Sequence, residues 1–189
     1  MTAFTRAGLV VAGALLLAAC GDSAEESGEA REFNDADVTF AQMMIPHHEQ
    51  ALEMAKLADG RASDAEVKEL AGQIEQAQDP EIRTMKGWLK SWKQPTTADS
   101  MPGMDHGSGH GGDGMMSGTD MEELTALKGT EFDKAFAEMM IEHHNGAIDM
   151  AEDEQKNGKY ADAKKMADAI VKGQSAEVEQ LQGALDRLS

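Results

Sequence analysis

Four of the six histidines sit in two nearly identical segments, Phe40-Ala-Gln-Met-Met-Ile-Pro-His-His-Glu-Gln-Ala-Leu-Glu-Met-Ala55 and Phe136-Ala-Glu-Met-Met-Ile-Glu-His-His-Asn-Gly-Ala-Ile-Asp-Met-Ala151. Each sets a methionine pair (Met43 and Met44, or Met139 and Met140) before a histidine pair (His47 and His48, or His143 and His144). Each also carries a later methionine, Met54 or Met150. Thioether sulfur with imidazole nitrogen is a soft ligand set that suits copper, Cu(I) in particular, better than magnesium, calcium or iron. On a helix, Met-x-x-His and Met-x-x-x-His spacings put sulfur and nitrogen on one flank, within reach of one ion. The competing reading is a methionine-rich core with structural histidines, since methionines at helical spacing are commonly packing.

A second concentration of the same ligands lies between the repeats: Met101-Pro-Gly-Met104-Asp-His106-Gly-Ser-Gly-His110-Gly-Gly-Asp-Gly-Met115-Met116. So glycine-rich a stretch offers little to a core, and methionines there are hard to explain as packing. A flexible segment can wrap Cu(I) with three or four thioether and imidazole ligands at little strain. Other chemistries are poorly served. No nucleophile–base triad, phosphate-binding glycine loop or His-Glu-x-x-His is present. Diiron carboxylate sites need Glu-x-x-His, whereas the residues three before His47 and His143 are methionines.

The elements that must position these residues repeat as well. A shift of 96 positions superposes Phe40–Leu89 on Phe136–Leu185 without a gap, pairing Ile74 with Ile170, Gln78 with Gln174 and Glu81 with Glu177. Duplication is the natural source. Within each copy Phe40, Met44, His47, Ala51 and Met54, or Phe136, Met140, His143, Ala147 and Met150, mark one face of a helix. This phasing turns His47 and His143 inward and leaves His48 and His144 about 100° round, toward a neighbour or the rim. Breaks follow at Gly60–Ser63 and Asn157-Gly158, and Ser63 with Glu66 reads as a capping box. Second helices then carry apolar stripes, from Val67 to Trp92 and from Ala163 to Leu188.

Each second stripe holds one polar residue, Gln78 or Gln174, level with the inward histidine. Such a glutamine either fixes a ligand imidazole's tautomer from the second shell or simply satisfies a buried polar pair. Trp88 and Trp92 are expected to cap the core. Pro46 inside the first motif, where the second has Glu142, should kink the helix. Two long hairpins with one apolar face each must bury those faces on one another. The expected fold is all-α, an antiparallel four-helix bundle of ferritin-like type made of two duplicated helical hairpins joined by a long crossover. Its parts are hairpin 33–93, a non-helical bridge 94–121 and hairpin 122–189.

The N-terminus reads as a sorting signal. Arg6 precedes an apolar run, Gly8–Ala19, too short to span a membrane, ending in Leu17-Ala18-Ala19-Cys20-Gly21. This resembles a bacterial lipobox, giving a signal peptide over 1–19, lipidation of Cys20 and a flexible acidic tether over 20–32. Lipidation of the only cysteine excludes thiolate metal sites, cysteine catalysis and disulfides. A formal charge of −18 makes nucleic acid and anionic lipid poor partners. Membrane contact is expected only through the anchor.

The motif M-I-x-H-H-x-x-A-x-x-M-A, present twice in a helical chain with an export signal, resembles the bacterial family known as domain of unknown function 305. That resemblance implies a ferritin-like fold and, for some members, copper binding outside the cytoplasm linked to copper tolerance. It points to Met43, Met44, His47, His48 and Met54, and to Met139, Met140, His143, His144 and Met150. Glu142 departs from the motif's usual proline. The sequence thus describes a lipoprotein on the outer face of the cytoplasmic membrane or in the periplasm, binding copper to buffer it, confer tolerance or pass it to an envelope partner. A ferritin-like metal-dependent oxidoreductase and a metal-free envelope scaffold are the alternatives. Metal stoichiometry and oligomeric state are left open.

Overall fold

A computed structural model describes residues 32–97 and 114–189. Among them there are five helices and no strand: α1 (Asp35–Ala58), α2 (Ala65–Ser91), α3 (Gly118–Ala126), α4 (Thr130–Asn157) and α5 (Ala161–Leu188). They pack as a helical bundle in which α1 pairs with α2, α4 with α5, and α1 with α4. No described helix is long and apolar enough to cross a membrane.

Each helix start has a local cause. Asn34 caps α1 through a reciprocal box with Asp37, and Ser117 caps α3 in the same way with Asp120. The N-cap of α2 is Asp64, whose carboxylate accepts from the amides of Glu66 and Val67. Ser63, expected to be that cap, is engaged elsewhere. Its amide donates to Asp133 at 3.0 Å and its hydroxyl also donates to Asp133.

This contact has a counterpart one repeat away. Asp133, fully buried near the start of α4, receives the amides of Ser63 and Asp64 from the α1–α2 turn. Asp37, fully buried near the start of α1, receives the amides of Lys159 and Tyr160 from the α4–α5 turn, at 2.9 and 2.8 Å. Each hairpin's turn is therefore pinned by a carboxylate of the other hairpin. A carboxylate taking several main-chain donors is a strong, directional tie.

The bridge departs from expectation at its end. Residues from Gly118 are helical, because the Ser117–Asp120 box nucleates α3 where a loop was expected to about Asp120. Pro46 and Pro80 lie inside continuous helices, both with exposed side chains. Trp88 and Trp92 stack on each other at one end, with Phe33 against Trp92 and the Tyr160 ring edge-on to both.

Candidate metal centre

The apolar core is two clusters with a polar layer between them. One holds Met54, Ile74, Phe136, Met140 and Leu181; the other holds Phe40, Met44, Ile82, Ala147 and Ile170. Along the four long helices the residues separating the clusters are His47 and His48, Gln78, His143 and His144, and Gln174, all buried. Six polar side chains across mid-bundle are costly unless each is satisfied or put to use.

His47 and His143 meet at the centre, with ring centroids 3.7 Å apart and planes at 37°. His48 and His144, expected toward a neighbour or the rim, turn toward neighbouring helices and are fully buried. At the middle of a bundle, neighbours on two sides cover a wider arc than one stripe. Their Nε2 atoms lie 2.8 Å from Glu81 on α2 and 2.7 Å from Glu177 on α5. These two glutamates are the orienting partners the sequence reading missed. The signal available was their exact correspondence at a shift of 96.

The Glu81 and Glu177 carboxylates accept, so each Nε2–H donates and in the neutral ring Nδ1 carries the lone pair. Neither His48 Nδ1 nor His144 Nδ1 has a hydrogen-bond partner. A histidine backed by a carboxylate and presenting its other nitrogen is the arrangement that orients metal-bound imidazoles. His143, with neither ring nitrogen hydrogen-bonded, is held neutral well below the ordinary imidazole range. Burial is the main cause, followed by His47, His144 and His48. Neutral imidazole is the form that binds metal.

The glutamines do not take the role expected of them. Both amide atoms of Gln78, and Gln174 Oε1, lack hydrogen-bond partners. They share the histidine layer without tying a ring down. Among the described residues, no three His, Cys, Asp or Glu side chains converge on a point that could hold an ion.

Sulfur is at hand on both sides. Met44, Met54 and Met140 are fully buried, Met44 in one apolar cluster and Met54 and Met140 in the other. Met43, Met139 and Met150 are half-buried. Met43 and Met150 line a groove of about 570 Å³ between the first half of α1 and the second half of α4. Of the bridge ligands, Met101, Met104, His106 and His110 lie outside the described residues. Met116 is buried in the core, its main chain clamped by the Gln50 amide at 2.9 and 2.7 Å, so it has a packing role after all. Met115 is half-buried.

Two duplicated helical hairpins sharing a buried histidine layer, with methionines above and below it, define a class of helical repeat protein. The chain belongs to the family Domain of unknown function (DUF305), which it matches over residues 37–185. It is similar to a DUF305 protein from Streptomyces coelicolor, 31% identical over 81% of this chain and 92% of that one, with a TM-score of 0.73. It is also similar to CopM in a Cu(II)-bound form, 34% identical over 81% and 97% of the two chains, with a TM-score of 0.69. A Cu(I)-bound form of CopM is 32% identical over 80% and 96%, with a TM-score of 0.65. No curated protein matches the chain.

Proposed function

We propose that this protein binds copper, with Cu(I) favoured, as an exported, lipid-anchored carrier or buffer without catalytic turnover. The observation that carries the reading is the pair of carboxylate-backed imidazoles, His48–Glu81 and His144–Glu177, each presenting an unpartnered Nδ1 inside a methionine-flanked layer. The similarity to CopM, solved with Cu(I), Cu(II) and silver, supports it. Cu(I) accepts low coordination by sulfur and nitrogen, which suits a layer where hard ligands do not converge.

In this reading His47, His48, His143 and His144, with Met43, Met44, Met54, Met139, Met140 and Met150, supply the bundle sites. Glu81 and Glu177 orient two of the rings. Met101, Met104, His106, His110 and Met115 form a capture arm that hands the ion on. The four long helices would be a ferritin-like bundle, with α3 an insertion in the crossover. Export agrees with the description of the Streptomyces coelicolor relative as a secreted protein, and anchoring rests on Cys20.

Anaerobic Cu(I) titration of the mature protein against a competing chelator tests this. The companion variant replaces Met101, Met104, His106 and His110 by serine and leaves the core residue Met116 in place. Binding tighter than micromolar in both proteins is expected. Failure of both to bind would overturn the reading. Oxygen uptake on adding Cu(I) would favour the oxidoreductase alternative instead.

A further inference from the structure

The duplication supplies two grooves between α1 and α4, and among the described residues a helix covers only one of them. The covered groove is walled by Met54, Leu57, Phe136 and Met139, and α3 lies over it. Leu124 and Met116 are buried there, with Met121 and Leu127 packed beside them. Polar ties hold this cover down. Gln50 clamps Met116, and the Arg61 Nε donates to the carbonyl of Thr125 at 2.9 Å. The protein thus shows what its own groove accepts: a short helix with methionine and leucine on one face.

The second groove is the counterpart of the first at a shift of 96. Phe40, Met43 and Met150 stand where the covered groove has Phe136, Met139 and Met54. Among the described residues no helix lies over it, and only Gly114 closes on its α4 wall, at Gly146. We propose that this open groove docks a short amphipathic helix of a partner protein, with methionine or leucine on its apolar face and lysine or arginine beside it.

The apolar floor argues for the helix, and the rim argues for its charge. Where the covered groove has Leu57, Ala58 and Arg61, the open one has Asp153, Glu154 and Asn157. One exposed acid, Asp153, is gained and a base is lost, while Asp35 and Asp149 keep the acidic character of Glu131 and Glu53. Glu154 is only 2% exposed. It lies beside the buried Asp37, and burial, then Asp37, pushes its pKa up to about 8.

The segment 98–113 and a second copy of the chain are poor occupants on charge grounds. Residues 98–113 carry Asp99, Asp105 and Asp113 and no lysine or arginine, and a second copy brings the −18 charge of the whole chain. Flexible methionines on the floor suit a partner surface that must adapt to its ligand. The proposal concerns metal-free protein and stands apart from the copper reading.

The probe is the peptide Met116–Leu127 with Asp120→Lys, Glu122→Lys and Glu123→Lys, which keeps the apolar face of α3 and reverses its charge. It is titrated into metal-free mature protein labelled with 13C at the methionine methyls. The expected result is saturable shifts at Met43 and Met150, unchanged Met54 and Met139, and binding at least tenfold weaker for the unmodified acidic peptide. Binding should also weaken at least tenfold in Asp149→Lys/Asp153→Lys, two exposed positions whose change should leave the fold intact. Absence of shifts at millimolar peptide would overturn the proposal. So would contacts from Met101 or Met104 to Phe40 in the free protein, or a concentration-dependent dimer that moves the same methyls.

Discussion

The two halves of the molecule agree in their interior and disagree on their surface. The histidine–glutamate pairs match within 0.1 Å in length, 2.8 and 2.7 Å. The turn ties of Asp37 and Asp133 match donor for donor along the main chain. Grooves, helix prolines and the environment of one tie do not match. The histidine–glutamate pairs and the two buried ties constrain both copies alike, because each joins a named donor to a named acceptor. Groove walls are free to diverge once one is covered and the other is exposed.

The buried ties give the largest test of this comparison. Asp133→Ala removes a buried acceptor from the amides of Ser63 and Asp64 and from the Ser63 hydroxyl. It should cost about 2–4 kcal/mol in chemical denaturation. Above about pH 8, where Glu154 has lost its proton, Asp37→Asn should cost less than Asp133→Asn, since it relieves a repulsion with Glu154 that has no equivalent at Ala58. Equal costs would break the comparison.

Glu154 itself comes next. Its pKa is raised from 4.5 to about 8, so the folded chain keeps a proton that the unfolded chain has lost between these values. Stability must then fall as pH rises through that window. Glu154→Gln removes the slope. It should stabilise by about 2–3 kcal/mol at pH 8 and by little at pH 4.5, read as the difference in denaturation midpoints at the two pH values.

Smaller effects sharpen the picture. Pro46→Glu copies the second repeat and should stabilise by about 1–2 kcal/mol, because proline inside a helix sacrifices an amide donor. Glu81→Gln and Glu177→Gln should each cost about 1 kcal/mol. They should also lower copper affinity about tenfold. Unequal effects of these two would show that the halves have parted in the interior too.

Much of this was legible in the sequence. The ungapped repeat, the helix faces of α1 and α4, the breaks near Gly60 and Gly158, and the polar positions Gln78 and Gln174 all follow from spacing. What escaped was what depends on a distant neighbour. Ser63 carries a good capping signature, yet Asp133, 70 residues away, captures it and leaves the cap to Asp64. His48 and His144 look peripheral on a single helix and become buried only when neighbouring helices close over them. Glu81 and Glu177 resemble solvent-facing acids until the second helix turns them onto those rings. The start of α3 was readable from Ser117 and Asp120, but the surrounding glycines hid it. Met116 shows the converse: it sits in a ligand-rich stretch and is spent on packing.

The central claim is that copper is held in the histidine layer by sulfur and a carboxylate-backed imidazole together. X-ray absorption at the copper edge reads this directly, on Cu(I)-loaded mature protein whose Met101, Met104, His106 and His110 are replaced by serine. The account predicts bound copper with a mixed first shell of sulfur and nitrogen and the multiple-scattering pattern of imidazole. Copper lost with those four side chains, or held by sulfur alone, would contradict it.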